Sequence, residues 1–229
     1  MNSLCVIPAR GGSKRIPRKN LRSFCGRPII AYSIDAALES DVFDATIVST
    51  DDGEIADLAV QLGAEVPFFR SSEASSDMAT LADVVTEVVA RHSKERQNPE
   101  IICCLLPTAP FVTCQELRDS YYALLREENT TAVIPVVRFG YPIQRALQVD
   151  ERQRVSMVWP EYVTARSQDL EPRYHDAGQY YFIRRRAFDH QRTLFPDGAV
   201  AHEKSELAVQ DIDTEEDWRL AEMKFQLLS

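Results

Sequence analysis

A chain of 229 residues, 45% hydrophobic and 27% charged, has the material to bury one sizeable core, and a single domain over 1–229 is expected. A formal net charge of -9 argues against general nucleic-acid binding, and no apolar stretch approaches the length of a membrane span. Cys5, Cys25, Cys103, Cys104 and Cys114 are odd in number and form no C-x-x-C pair, which disfavours a zinc site or disulfide framework and suits reduced thiols in a cytoplasm.

The first apolar run, 4–9, reads as a buried strand; it is too short, and too soon followed by Arg10 and Gly11, for a secretory signal. It opens into Arg10-Gly11-Gly12-Ser13-Lys14-Arg15-Ile16-Pro17-Arg18-Lys19-Asn20. Two glycines allow positive φ and close approach of backbone amides to phosphate oxygens, while Arg10, Lys14 and Lys19 bring charge ahead of the first acidic residue, Asp35. A glycine pair alone is a turn and a basic run alone a solvated face. Together, in an acidic chain, they point to an anionic small ligand. Neither the Walker nor the dinucleotide glycine spacing is present, so this is another kind of phosphate loop.

A helix is expected over 28–39, then a strand over 45–50 and a helix over 53–62 with Asp51 or Asp52 as its cap and Gly63 as its stop. The polar segment from Arg70 to Thr80 reads as a loop that starts a helix over 81–94, capped by Asp77 or Thr80. A strand over 101–106 leads through Leu106-Pro107-Thr108-Ala109-Pro110, stiffened by its two prolines, to a helix over 115–127 that Thr113 and Glu116 can cap. After a strand over 131–137 the pattern breaks, and 139–176 reads as an inserted arm. Strands over 178–184 and 207–212 follow, and Thr214 caps a final helix to about residue 227, with Glu215, Glu216 and Asp217 at its positive end. Strands alternating with helices predict an α/β fold, a mostly parallel sheet flanked by helices.

Asp211-Ile212-Asp213 closes the last expected strand. Residues i and i+2 would share one face at its carboxyl end, where α/β sheets bind ligands, and two carboxylates suit a magnesium ion completed by phosphate and water. Asp213 beside Thr214 also fits a simple helix cap, but the cationic loop in the same chain favours metal binding.

Read whole, residues 7–20 resemble the signature of the acylneuraminate cytidylyltransferases, enzymes that make CMP-activated nine-carbon acidic sugars. Further motifs, Tyr141-Pro142-Ile143-Gln144-Arg145, Arg166-Ser167-Gln168-Asp169-Leu170, Tyr174-His175-Asp176-Ala177-Gly178-Gln179-Tyr180 and Asp211-Ile212-Asp213, extend the resemblance over nearly the whole chain and look like the branch that acts on pseudaminic acid. The resemblance implies a Rossmann-like, GT-A-like nucleotidyltransferase fold that is dimeric through its arm, and transfer of CMP from CTP to the anomeric hydroxyl with release of pyrophosphate. It implies Mg2+ on Asp211 and Asp213, and nucleotide contacts from Ala9, Arg10, Gly11, Gly12, Ser13, Lys19, Asn20, Arg70 and Thr80. Arg10, Lys19 and Asp211 are the catalytic candidates; Asp211 and a metal-bound hydroxide both remain open as the base. Leu106, Tyr141, Arg145, Arg166, His175, Gln179 and Tyr180 are the sugar-binding candidates, with Arg145 or Arg166 facing the sugar carboxylate. Leu106 and Ala109 stand where relatives acting on sialic acid carry Gln and Ser, which favours a less polar sugar such as pseudaminic acid. The same reaction on N-acetylneuraminic or legionaminic acid is the nearer alternative. A nucleotide-sugar sensor without turnover is the more distant one, and intact Lys19, Asp211 and Asp213 count against it.

Overall fold

The computed structural model describes residues 2–13 and 15–228, so the loop cation Lys14 lies outside the described residues. In chain order it contains β1 (Ser3–Pro8), β2 (Ser23–Phe24), β3 (Arg27–Pro28), α1 (Ile29–Ser40), β4 (Ala45–Ser49), α2 (Gly53–Gln61), α3 (Ser72–Ser75), α4 (Leu81–Glu95) and β5 (Ile101–Leu105). There follow α5 (Cys114–Arg126), β6 (Ala132–Arg138), β7 (Leu147–Val149), β8 (Val155–Met157), β9 (Tyr174–Asp176), β10 (Tyr180–Arg184), α6 (Arg185–Gln191), β11 (Ala199–Lys204) and α7 (Glu215–Leu228).

The main sheet has the order β11-β6-β10-β5-β1-β4, with β9 added on β6. Pairs β1–β4, β1–β5 and β6–β11 are parallel, and β10 runs antiparallel to both β5 and β6, so every strand on that path except β10 points the same way. The central strands are near-continuous apolar runs because both sheet faces are covered. Cys5, Ile7, Cys103, Leu105, Tyr180 and Phe182 face one side with α1 and α5 residues; Leu4, Val6, Ile102, Cys104, Tyr181 and Ile183 face the other with α4 and α6 residues. All five cysteines are free, and Cys5, Cys103 and Cys104 are buried.

Helix starts follow their capping chemistry. The Asp52 carboxylate accepts the Glu54 and Ile55 amides, and Thr80 and Thr113 form capping boxes with Asp83 and Glu116. Pro28 immediately precedes α1, and Gly63 stops α2 with φ of 94°.

Three expectations are corrected. The run 207–212 is not a strand but a 3-10 turn, Glu206–Ala208, followed by irregular chain; both edges of β6 are already taken, one by β11 and the other by β10 and β9. Its apolar residues are spent elsewhere: Val209 packs on Val137 and Ala177, and Ile212 enters a small core with Ile16, Phe24, Ile29, Phe111, Trp218 and Ala221. The arm contains a hairpin, β7 with β8, whose alternation is too short to register as a pattern. The strand expected from Gly178 begins at Tyr180, because Gly178 turns the chain with φ of 61°.

Candidate active site

Parallel strands deliver their carboxyl ends, and the loops after them, to one edge of the sheet. There the loop after β1 meets the segment after β4, the loop between β5 and α5, and the chain from Ser205 to Asp213 after β11. Ala9 is fully buried and donates its amide to the Ser49 carbonyl at 2.9 Å, and the Ser13 amide bonds the Gly11 carbonyl. Buried Asn20 donates Nδ2 to the Arg10 carbonyl at 3.0 Å, closing the loop on itself. The glycines do their work differently from expectation. Positive φ occurs at neither Gly11 nor Gly12. Gly11 is required for space, since a Cβ there would stand 2.6 Å from Asp52 Oδ2 and 2.8 Å from its Cβ. Its amide donates to Asp51 Oδ1 at 2.8 Å.

Lys19 lies at the centre of the charge arrangement. Its ammonium donates to the Ile212 carbonyl at 2.6 Å and stands 3.7 Å from Asp213 Oδ1, which also receives Arg15 Nη2 at 2.8 Å. Burial lowers the Lys19 pKa from its ordinary value, and the Asp213 and Asp211 carboxylates oppose that. The Asp211 carboxyl is pushed up, first by partial desolvation and then by Asp213, with Lys19 acting the other way. The strand face expected to align Asp211 and Asp213 is not formed; the segment that carries them is held by the Lys19–Ile212 bond and the packing of Ile212. Among the described residues no three His, Cys, Asp or Glu side chains gather as a cage, so a cation held by this pair would need further ligands from substrate or water. Two hard oxygen donors of like charge fit a divalent cation of the magnesium type.

Arg10 reaches Asp77 Oδ1 at 3.0 Å, which joins the cationic loop to the segment before α4. Arg70 is buried, with Nε on the Ser49 hydroxyl at 3.0 Å and Nη2 on the Ser49 carbonyl; desolvation lowers its pKa from the ordinary value. Thr80 sits on the rim, its hydroxyl bonded to Asp83.

The sugar-binding candidates divide. Leu106 is half-buried in the β5–α5 loop, its amide on the Gln179 carbonyl at 2.8 Å and its carbonyl held by the Ser33 hydroxyl. Tyr141, Arg145, Arg166 and His175 are exposed on the arm: Arg145 bonds the Ala165 carbonyl, Arg166 pairs with Asp169 at 2.8 Å, and His175 packs against Phe139. Tyr180 is a correction. It is fully buried and its hydroxyl pairs with Ser120 at 2.9 Å, because alternation along β10 turns it onto the α5 side of the sheet. Gln179 is corrected likewise: its carboxamide is buried, donating to the Ala208 carbonyl and accepting from Lys204.

A family model described as cytidylyltransferase matches residues 4–211. The chain belongs to the cytidylyltransferase family. This cytidylyltransferase is 37% identical over 227 residues to a pseudaminic acid cytidylyltransferase of Campylobacter jejuni, covering 99% of this chain and 97% of that one. It is 30% identical to a CMP-N,N'-diacetyllegionaminic acid synthase of Legionella pneumophila, again over 99% and 97% of the two chains. Among solved structures, the fold matches a CMP:2-keto-3-deoxy-manno-octonic acid synthetase complexed with CTP, with TM-score 0.72 and 16% identity over all of both chains. It also matches a 4-diphosphocytidyl-2C-methyl-D-erythritol synthase from Anaerococcus prevotii, with TM-score 0.65 and 14% identity over 98% of each.

Several residues that shape the candidate site of this cytidylyltransferase were read from sequence only as cap candidates or as part of a motif, without a site role. Asp51 holds the Gly11 amide, Asp77 holds Arg10, and Asp176 accepts both the Gly178 amide and the Tyr181 hydroxyl at the foot of the arm. Ile16 had a legible signal, a lone isoleucine amid five cations; it is fully buried and packs beside Ile212.

Proposed function

We propose that the chain transfers CMP from CTP to the anomeric hydroxyl of a nonulosonic acid, with pseudaminic acid the preferred sugar. The new bond joins the anomeric oxygen to the α-phosphorus, the bond from that phosphorus to the bridging oxygen breaks, pyrophosphate leaves with the electron pair, and the hydroxyl proton is lost. The observation that carries this reading is the Lys19 ammonium at the end of a cationic loop, against the segment that bears Asp211 and Asp213. Similarity to the Campylobacter jejuni pseudaminic acid cytidylyltransferase supports the choice of sugar.

Arg10 and Lys19 neutralise phosphate charge, and Asn20 keeps their loop in register. Asp211 and Asp213 would hold a magnesium ion; when bound, it supplies charge neutralisation at the triphosphate. Arg15, in the same loop, pairs with Asp213 and would add to the positive charge available to the phosphates. Leu106 forms an apolar wall for the sugar, and Arg145 or Arg166 from the arm meets its carboxylate.

The protein works as one domain with an inserted arm and as a homodimer. Leu147, Val149, Val155 and Trp159 are exposed on or beside the hairpin, and an isolated two-stranded hairpin is marginal in water, so a second copy is its natural cover. Free, buried cysteines suit a cytoplasmic setting. The test is purified protein with CTP, Mg2+ and each of pseudaminic, legionaminic and N-acetylneuraminic acid, read by pyrophosphate release and product mass, with light scattering for the dimer. No pyrophosphate with any of the three points to the sensor.

A further inference from the structure

Lys204, the last residue of β11, buries a primary ammonium in the interior: its side chain is 1% exposed. A buried lysine is costly unless every partner is well placed. Here Nζ stands 2.9 Å from Glu116 Oε1 and donates to the Gln179 side-chain oxygen. Each partner reaches a different wall of the active site. The other Glu116 oxygen, Oε2, accepts the Thr113 amide at 2.9 Å, completing the capping box that fixes the end of the β5–α5 loop. The start of the same loop is fixed by the Leu106 amide on the Gln179 carbonyl. Gln179 Nε2 in turn donates to the Ala208 carbonyl at 3.0 Å, just ahead of the chain that carries Asp211 and Asp213.

The geometry points to Lys204 as a positioning residue: through Glu116 and Gln179 it holds the apolar loop 106–112 and the carboxylate-bearing segment 208–213 at a fixed separation. Its ammonium contacts Glu116 and Gln179, and it acts through them. Its place in catalysis rests on the nucleotidyl-transfer reading, whereas the mechanical coupling of the two segments does not. An apolar contact could hold two elements together as cheaply; a cation with two polar acceptors also fixes their angle and register.

The test compares the parent chain with Lys204→Met and Lys204→Gln by amide hydrogen exchange and by steady-state kinetics with CTP, Mg2+ and pseudaminic acid. In Lys204→Met, segments 106–112 and 208–213 should exchange at least about fivefold faster, with the 9–20 loop unchanged. Specificity for the sugar acid, as kcat/KM, should fall about 10-fold to 100-fold while KM for CTP stays within about twofold. Lys204→Gln, which keeps a donor toward Glu116 or Gln179, should recover part of both and serves as the test if Lys204→Met does not fold. Unchanged exchange in both segments, or exchange raised evenly over the whole chain, overturns the positioning role. A parent enzyme inactive on every sugar acid overturns the proposed function instead, and the exchange result still decides the coupling.

Discussion

At Lys19, desolvation lowers the pKa while the Asp213 and Asp211 carboxylates act to raise it, and the ammonium is the proposed partner of the phosphates. The carboxylates are the most direct test of that arrangement. Asp211→Asn and Asp213→Asn should each lower kcat by at least about 100-fold, the scale of a lost electrostatic catalytic group, with the melting temperature little changed. Full turnover in either variant, or in EDTA, removes the metal from the mechanism. Gly11 gives a prediction that separates space from flexibility. Gly11→Ala puts a methyl group against Asp52, the cap of α2, and should displace the loop and weaken CTP binding by about 10-fold or more; Gly12→Ala meets nothing within 4 Å among the described residues and should be tolerated. Equal CTP affinity in the two variants, by calorimetry, would count against the steric role.

At the scale of elements, the loop ends are held by capping groups and by the small core under the site. Phe24 meets Trp218 and Phe225 edge to face, and the same cluster holds Ile16 of the cationic loop, Phe111 of the β5–α5 loop and Ile212 between the aspartates. Loop positions in this enzyme are thus set by packing against α7. At the start of α4, the Thr80 amide and then its hydroxyl lower the Asp83 carboxyl below its ordinary 3.8. Because the folded value is the lower one, the associated stability is present above 3.8 and is lost as pH falls through the folded value. The stability difference between the parent and Asp83→Ala, from urea melts, should therefore be constant above about pH 5 and shrink in acid. A difference that grows on acidification would contradict it.

At the scale of the molecule, one edge of a mostly parallel sheet collects the cationic loop, the apolar loop and the carboxylate segment, while the β7–β8 hairpin leaves Leu147, Val149 and Val155 exposed. Sugar choice belongs to this scale because its candidates come from both. Pseudaminic acid should be used far better than N-acetylneuraminic acid, and Leu106→Gln should erode that preference without reversing it, since one half-buried side chain is one wall of a larger site. Comparable kcat/KM for the two sugars in the parent enzyme would return the reading to a general nonulosonate enzyme.

The sequence by itself determined most of the strand and helix alternation, the caps Thr113 and Thr214, the pairs of candidates from which the structure selects Asp52 and Thr80, and the cationic loop. Those features are local: a turn residue, a cap or a period of two is readable within a few positions. Pairing partners are not local. Residues 207–212 have the composition of a strand, yet β11 had already taken the free edge of β6, so how the two aspartates face Lys19 was decided by tertiary packing of Ile212. Tyr180 and Gln179 show the same limit at single residues. Alternation along β10 assigns faces, but only the assembled sheet says which face is core, and only the placement of Lys204 and Ala208 turns the Gln179 carboxamide inward.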